Sequence, residues 1–383
     1  MDFTFTDEQQ LLADTVQRFV REHYSFEARR EILISSEGWS REIWQEIAGL
    51  GLTAVNIPEE HGGFGAGPVE TMLVMNAFGG GLLLEPYLSA AVLAPVLLAK
   101  LEDAGAAAEL FPQIAAGERI VIVAHQEPHT RGEISSIATR AEKSGDGYVL
   151  QGKKSVIAHG PAADEFLVSA RTSGKTTDTA GVRVFRIPRE TSGLTITGYR
   201  TLDGTRAADL EFDRVRLPAS SLVGPDSDAF AALEAAHQIA LSALCAEAVG
   251  IMKAVNATTL EYTKNRKQFG QPISRFQVLQ HRMVDMFMHA EQATSMSYLA
   301  AIKCEDPDPS ERQRAVSAAK VTIGQSGRFI AQQAVQLHGG MGMTDELMVS
   351  HYFKRLTAID LTGGDADFHL QQFAATQAVG SRL

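Results

Sequence analysis

Apolar positions recur at helical spacing through roughly the first 120 residues of the chain. Leu11, Leu12, Val16, Phe19 and Val20 share one face of a helix opened by Thr6, with Glu8 and Gln9 in its first turn. A second helix is expected over 43–50, stopped by Gly51. PEEHGGFG (58–65) reads as a loop, and Pro68 opens a third helix. Further helices are expected over 86–103 and 106–116, ending at Gly117. From residue 121 the pattern changes. VIVAHQEP, SSIATRAEKSGDGYVLQGKKSVIAH, EFLVSART, VRVFRIP, LTITGY and AADLEFDRVRLP are short, rich in β-branched residues and punctuated by turn signals such as Gly145-Asp146-Gly147. Six or more such strands in succession predict a small β barrel or sandwich. Near Phe230 the helical period returns, with long runs over 230–264, 276–302 and 310–338 and a shorter one after Gly364. The expected fold is α+β: an N-terminal helical domain (1–120), a middle β-barrel domain (121–228) and a C-terminal four-helix bundle (229–383).

Composition narrows the function. A net charge of −11 disfavours nucleic acid and anionic membrane as partners. The apolar stretch AFGGGLLLEPYLSAAVLAPVLLA is interrupted by Glu85 and Pro86, so no membrane span is expected. The acidic start MDFTFTDEQQ is unlike a signal peptide, which points to a cytoplasmic protein. Two cysteines make neither a disulfide framework nor a metal site, and Cys245 sits in an apolar run as a small hydrophobe. His237, His281, His351 and His369 lack metal-ligand spacing and read as structural.

Three segments carry chemistry. RKQFGQPISRFQ (266–277) sets an Arg three residues before Phe-Gly and ends on a Gln. QLHGGMGMTDE (336–346) places a glycine pair beside Gln336 and His338, and LEFDRVRLPASSLVG (210–224) closes the strand-rich region. In this order and spacing the chain resembles the acyl-CoA dehydrogenase family along essentially its whole length. The resemblance implies FAD, bound through its ring between the β domain and the bundle, with its adenosine–pyrophosphate end received by a neighbouring subunit. The residues it assigns to that end are Arg266, Phe269, Gln277, Gln336, His338, Gly339 and Gly340. Arg266 brings a permanently charged fork suited to phosphate. Gln277 and Gln336 bring amides for ribose or phosphate oxygens. The glycines let backbone come close.

Other family positions are changed. Where members carry Thr–Glu–Pro and a Gly-Ser-Asp turn, this chain has Gln126-Glu127-Pro128 and Arg131-Gly132-Glu133. Where they carry Trp–Ile–Thr, it has Val156-Ile157-Ala158, without the indole that covers the flavin or the hydroxyl beside it. The base that removes the α-proton is a Glu near the C-terminus or in the first bundle helix. Those positions hold Gly363 or Gly364, and Ala240. Asp365 is a neighbouring substitute one methylene shorter. Glu247 lies two turns beyond Ala240, about 10 Å along the helix. For Asp365 the competing reading is an N-cap, and for Glu247 an ion pair or a solvated face. Arg355 is placed at the acyl-CoA phosphates or a subunit contact. Gly79-Gly80-Gly81 either loosens a helix beside the acyl pocket or ends it.

The losses fall on the chain's own ring face and base, whereas the retained residues are those offered to a neighbour's cofactor. The resemblance therefore implies one subunit of a heteromeric (α2β2) dehydrogenase, like those of bacterial steroid side-chain degradation. Such an enzyme converts an acyl-CoA to its trans-2-enoyl-CoA and passes electrons to a flavoprotein acceptor. The alternatives are a self-sufficient homotetramer using Asp365 or Glu247 as base, and a non-catalytic acyl-CoA-binding scaffold.

Overall fold

The protein is described by a computed structural model covering residues 4–128, 130–224 and 228–380. In chain order its helices and strands begin with α1 (Asp7–His23), α2 (Phe26–Ile34), α3 (Arg41–Gly49), α4 (Pro68–Gly81), α5 (Ala94–Leu101) and α6 (Ala104–Ala115). The strands β1 (Val121–Ala124), β2 (Arg140–Ser144), β3 (Gly147–Ala158), β4 (Glu165–Arg171), β5 (Val182–Pro188), β6 (Leu194–Arg200), β7 (Arg206–Pro218) and β8 (Leu222–Val223) follow. The chain continues as α7 (Phe230–Asn265), β9 (Lys267–Gln268), β10 (Gln271–Pro272), α8 (Gln277–Lys303), α9 (Pro309–His338), α10 (Met348–Leu361) and α11 (Ala366–Gly380). These elements form two compact units. One holds the chain up to Arg30, Pro68–Leu83 and the chain from Leu241; the other holds Glu31–Gly67 and Leu84–Ala240.

In the first unit, α1 starts at a capping box: Thr6 Oγ1 accepts from Gln9 N–H at 3.2 Å and Gln9 Oε1 accepts from Thr6 N–H at 3.0 Å. Its buried stripe is Ala13, Val16 and Phe19. In α9, Ala315, Ala319, Ile323, Ile330 and Ala334 are buried, and small residues there let neighbouring helices close in. The tightest approach joins α4 to α7. A Cβ on Gly79 would lie 2.1 Å from the Glu247 carbonyl oxygen, and one on Gly250 would lie 1.9 Å from that of Asn76. Only hydrogen fits at these crossing points. The glycine run thus ends α4 at Gly81 and also makes room for α7. An apolar window of α7 passes the length and composition test for a membrane span, but 89% of it is buried in the protein, as in a core helix.

The second unit is built on one sheet, ordered β6-β7-β3-β2-β4-β5-β8, with β1 pairing parallel to β4. β4 is buried along its whole length. The expected barrel is not formed: among the described residues no sheet closes. Closure requires the two edge strands to pair along a continuous, staggered ladder. Here β8 is two residues long, β6 is largely exposed, and β2 meets β4 through the single pair Arg140–Arg171. The long β3–β7 pairing shifts register between Lys154 and Ile157. That bulge puts Val156 at φ +53°, outside the regular strand.

Candidate functional site

One end of the first unit gathers most of the residues expected to hold a cofactor. After α7, the strands β9 and β10 form a hairpin whose two-residue turn is Phe269 (φ +54°) and Gly270 (φ +78°), the pair of positive angles a tight hairpin demands. Phe269 projects from the tip 90% exposed, in an edge-to-face contact with Phe276, centroids 6.0 Å apart. Arg266 is exposed at the base of the hairpin, and its guanidinium has no partner among the described residues. Gln277 begins α8 and Gln336 lies in the last turn of α9, both exposed. At the α9 terminus Gly339 adopts φ +61°, ψ −144°, and its N–H donates to Gln336 O. A Cβ on Gly339 or Gly340 would meet nothing within 4 Å, so this backbone is open to a ligand. His338 differs from the rest. It is buried, its Nδ1–H donates to Ala334 O at 2.8 Å, and burial holds the imidazole below its usual pKa and therefore neutral.

The two carboxylates singled out as bases are both engaged. Glu247 is 6% exposed and takes a bidentate pair of bonds from Arg355: Nε to Oε1 at 2.6 Å and Nη2 to Oε2 at 2.8 Å. Asp365 Oδ1 accepts from Phe368 N–H at 2.8 Å and so caps α11. Just before it, Gly363 (φ +67°) and Gly364 (φ +105°) form a turn fixed by two buried side chains. Lys320 Nζ donates to the carbonyls of Ile359 (2.8 Å), Thr362 (2.9 Å) and Asp360 (3.3 Å), closing the C-terminus of α10. His369 Nε2–H donates to Gly363 O at 3.1 Å while the Ser317 hydroxyl donates to Nδ1 at 3.2 Å.

In the second unit, Glu127 and Lys154 form a buried ion pair at 2.7 Å, and Lys154 also reaches His125 O and Ser169 Oγ, each at 3.1 Å. Glu127 accepts from the backbone N–H groups of Ala138 (2.7 Å) and Thr139 (3.0 Å). Burial pushes Lys154 down to about 8 against the pull of Glu127. For Glu127 burial works upward, but Lys154 and the bonds from Thr139 and Ala138 outweigh it and hold the carboxyl below its usual range. Above this pair the bulge presents Val156, 49% exposed, its N–H given to Asp209 Oδ1 at 3.0 Å. Neither Val156 nor Ala158 supplies an indole or a hydroxyl, so the ring half of a flavin finds little here. The first unit offers what a pyrophosphate would need, open backbone at Gly339 and Gly340 and an exposed guanidinium at Arg266.

Profiles of known domains cover the chain in the same order. The acyl-CoA dehydrogenase N-terminal domain matches residues 6–118, the middle domain 123–215 and the C-terminal domain 237–377. The chain belongs to the acyl-CoA dehydrogenase family. Among curated members, FadE12 of Mycobacterium tuberculosis is 30% identical, over 91% of this chain and 90% of that one. A solved structure described as a Tcur3481-Tcur3483 steroid ACAD G363A variant is 26% identical with a TM-score of 0.88, over 98% of this chain and 99% of that one. The ChsE4-ChsE5 complex from Mycobacterium tuberculosis is 27% identical with a TM-score of 0.87, covering 99% of each chain.

For an acyl-CoA dehydrogenase the chain holds two surprises. Lys320 and the Glu127–Lys154 pair were not expected as structural anchors, since a lysine in a helical or strand pattern reads as solvated. The only signal is position: Lys320 lies among Ala318, Ala319 and Val321. The other is Arg355, whose guanidinium turns inward to Glu247.

Proposed function

We propose that this chain is one subunit of an FAD-dependent acyl-CoA dehydrogenase that introduces an α,β double bond into an acyl-CoA, giving a trans-2-enoyl-CoA. Its own contribution is the arm made by Arg266, Phe269, Gln277, Gln336 and the Gly339–Gly340 turn, which takes the adenosine–pyrophosphate end of a cofactor whose ring lies on a homologous partner chain. The observation that carries this reading is a contrast in how the residues are used. Every arm residue but His338 is exposed and the Arg266 guanidinium has no partner among the described residues, whereas Glu247 is held by Arg355 and Asp365 by the α11 cap. FAD, when bound, supplies the hydride acceptor. Arg266 would hold the pyrophosphate with a forked cation, and the absence of side chains at Gly339 and Gly340 would let its oxygens approach the backbone without steric hindrance. The partner brings the carboxylate that takes the α-proton and the aromatic ring face.

An α2β2 assembly is the expected arrangement, with electrons leaving to a flavoprotein acceptor, in the cytoplasm. The steroid ACAD among the solved relatives supports a bulky, steroid-type acyl group as the substrate class. A homotetramer using Glu247 is disfavoured because its carboxylate would have to leave a bidentate arginine, and Asp365 would have to uncap α11. The test is to co-express the chain with a homologous dehydrogenase that carries Trp–Ile–Thr and a C-terminal Glu. Arg266→Ala in this chain should strip flavin from the purified pair while leaving the two chains associated. Full flavin retention in that variant would refute the arm.

A further inference from the structure

Arg266 and Gly339 are far apart in the sequence, yet the arm requires both to face the same phosphates. The link between them is Tyr262, on the last full turn of α7. Its ring lies on the buried imidazole of His338, centroids 4.2 Å apart and planes 27° from parallel. Its hydroxyl donates at 3.3 Å to the carbonyl of His338, which belongs to the peptide group whose nitrogen is that of Gly339. Its own carbonyl accepts from Arg266 N–H at 2.9 Å, and Arg266 O accepts from Ile273 N–H at 2.8 Å, which closes the base of the hairpin. His338 is held from the other side by its bond to Ala334 O.

Gly339 has no side chain to orient it, and a Cβ there would touch nothing. Its placement comes from the bond its N–H makes to Gln336 O and from the His338 peptide on which Tyr262 rests. We infer that Tyr262 is a positioning residue: a strut that sets the Arg266 hairpin and the Gly339–Gly340 turn at the spacing a pyrophosphate needs. This inference rests on the proposed arm. It also gives His338 a role that differs from direct contact with the cofactor, because the imidazole is the surface on which the strut rests. The stack outweighs the hydroxyl bond, since 3.3 Å is long for an O–H···O bond while the ring contact is close.

The probe is ADP, which carries the adenosine and pyrophosphate groups alone, titrated by calorimetry into the full-length chain. Arg266→Ala and Tyr262→Leu should each weaken ADP about tenfold. Tyr262→Phe keeps the stack and should weaken it only about twofold. Without ADP, Tyr262→Leu should speed hydrogen exchange at the Gly339 and Gly340 amides, whereas a general loss of stability would speed it across the bundle. Should Tyr262→Leu fail to fold, His338→Leu removes the same stack from the other side. If Arg266→Ala loses ADP and the stack variant binds it like the wild type, the strut is overturned and the arm stands. If the wild type does not bind ADP, or Arg266→Ala binds it unchanged, the arm falls and the strut with it.

Discussion

Removing Glu247 should cost stability rather than chemistry. The carboxylate takes two bonds from Arg355 at 2.6 and 2.8 Å, and the two side chains are 8% and 21% exposed. Truncating one member of a fully buried pair costs about 3–5 kcal/mol, because the remaining charge is left without a partner. Arg355 keeps a fifth of its surface in water, so the expected cost of Glu247→Ala falls to about 2–3 kcal/mol. Replacing both residues with Met should recover most of that loss, since the double variant buries no lone charge. Urea unfolding of Glu247→Met, Arg355→Met and the double variant, with equal m values, gives the coupling energy. A coupling of about 2 kcal/mol agrees with the geometry. A value under about 0.5 kcal/mol would refute it. So would a Glu247→Ala variant of full stability whose partner complex has lost turnover, because Glu247 would then be the base.

Three further outcomes follow from the packing. Gly79→Ala drives a methyl to within 2.1 Å of the Glu247 carbonyl, and should lower stability by about 3 kcal/mol in thermal unfolding; an unchanged midpoint would mean that α4 and α7 do not cross there. Lys320→Met removes the side-chain donor shared by three carbonyls at the end of α10, leaving Ile359 O only the 3.3 Å bond from Thr362 N–H, and should cost about 3 kcal/mol and speed amide exchange across α10; equal exchange would remove the anchor. Lys154 is pushed down to about 8 in the fold, so between there and the ordinary lysine value the unfolded chain binds more protons. Its contribution to stability should therefore rise with pH, by about 2–3 kcal/mol relative to Lys154→Met between pH 7.5 and 10, and a flat difference in chemical unfolding would contradict the burial.

Much of the fold is legible wherever one physical signal dominates. The Thr6–Gln9 capping box, the Gly51 stop and the long period of α7, α8 and α9 all stand in the structure as their patterns predict. α10 is not legible. Its buried face includes Ser350, His351 and Asp360 beside Val349, Leu356 and Ile359, so polar residues blur the apolar stripe. Strand content was readable from β-branched runs, but closure was not. Whether β6 and β8 meet depends on long-range stagger and on the two-residue length of β8, which no local pattern encodes. At the candidate site the arm residues come from the family resemblance that RKQFGQPISRFQ and QLHGGMGMTDE carry, not from periodicity. An ion pair was among the readings for Glu247, but its partner Arg355, 108 residues away, was not legible, and neither was the role of Lys320. Side-chain partners so distant in sequence leave no periodic trace.

The central claim is that this chain lends its arm to a cofactor whose ring another chain holds. The flavin-to-chain ratio tests it most directly, read from the absorbance of the denatured protein purified alone and then with a homologous partner. A ratio near zero alone, rising to one flavin per two chains in the pair, is the predicted result. A ratio near one in the chain alone would contradict it.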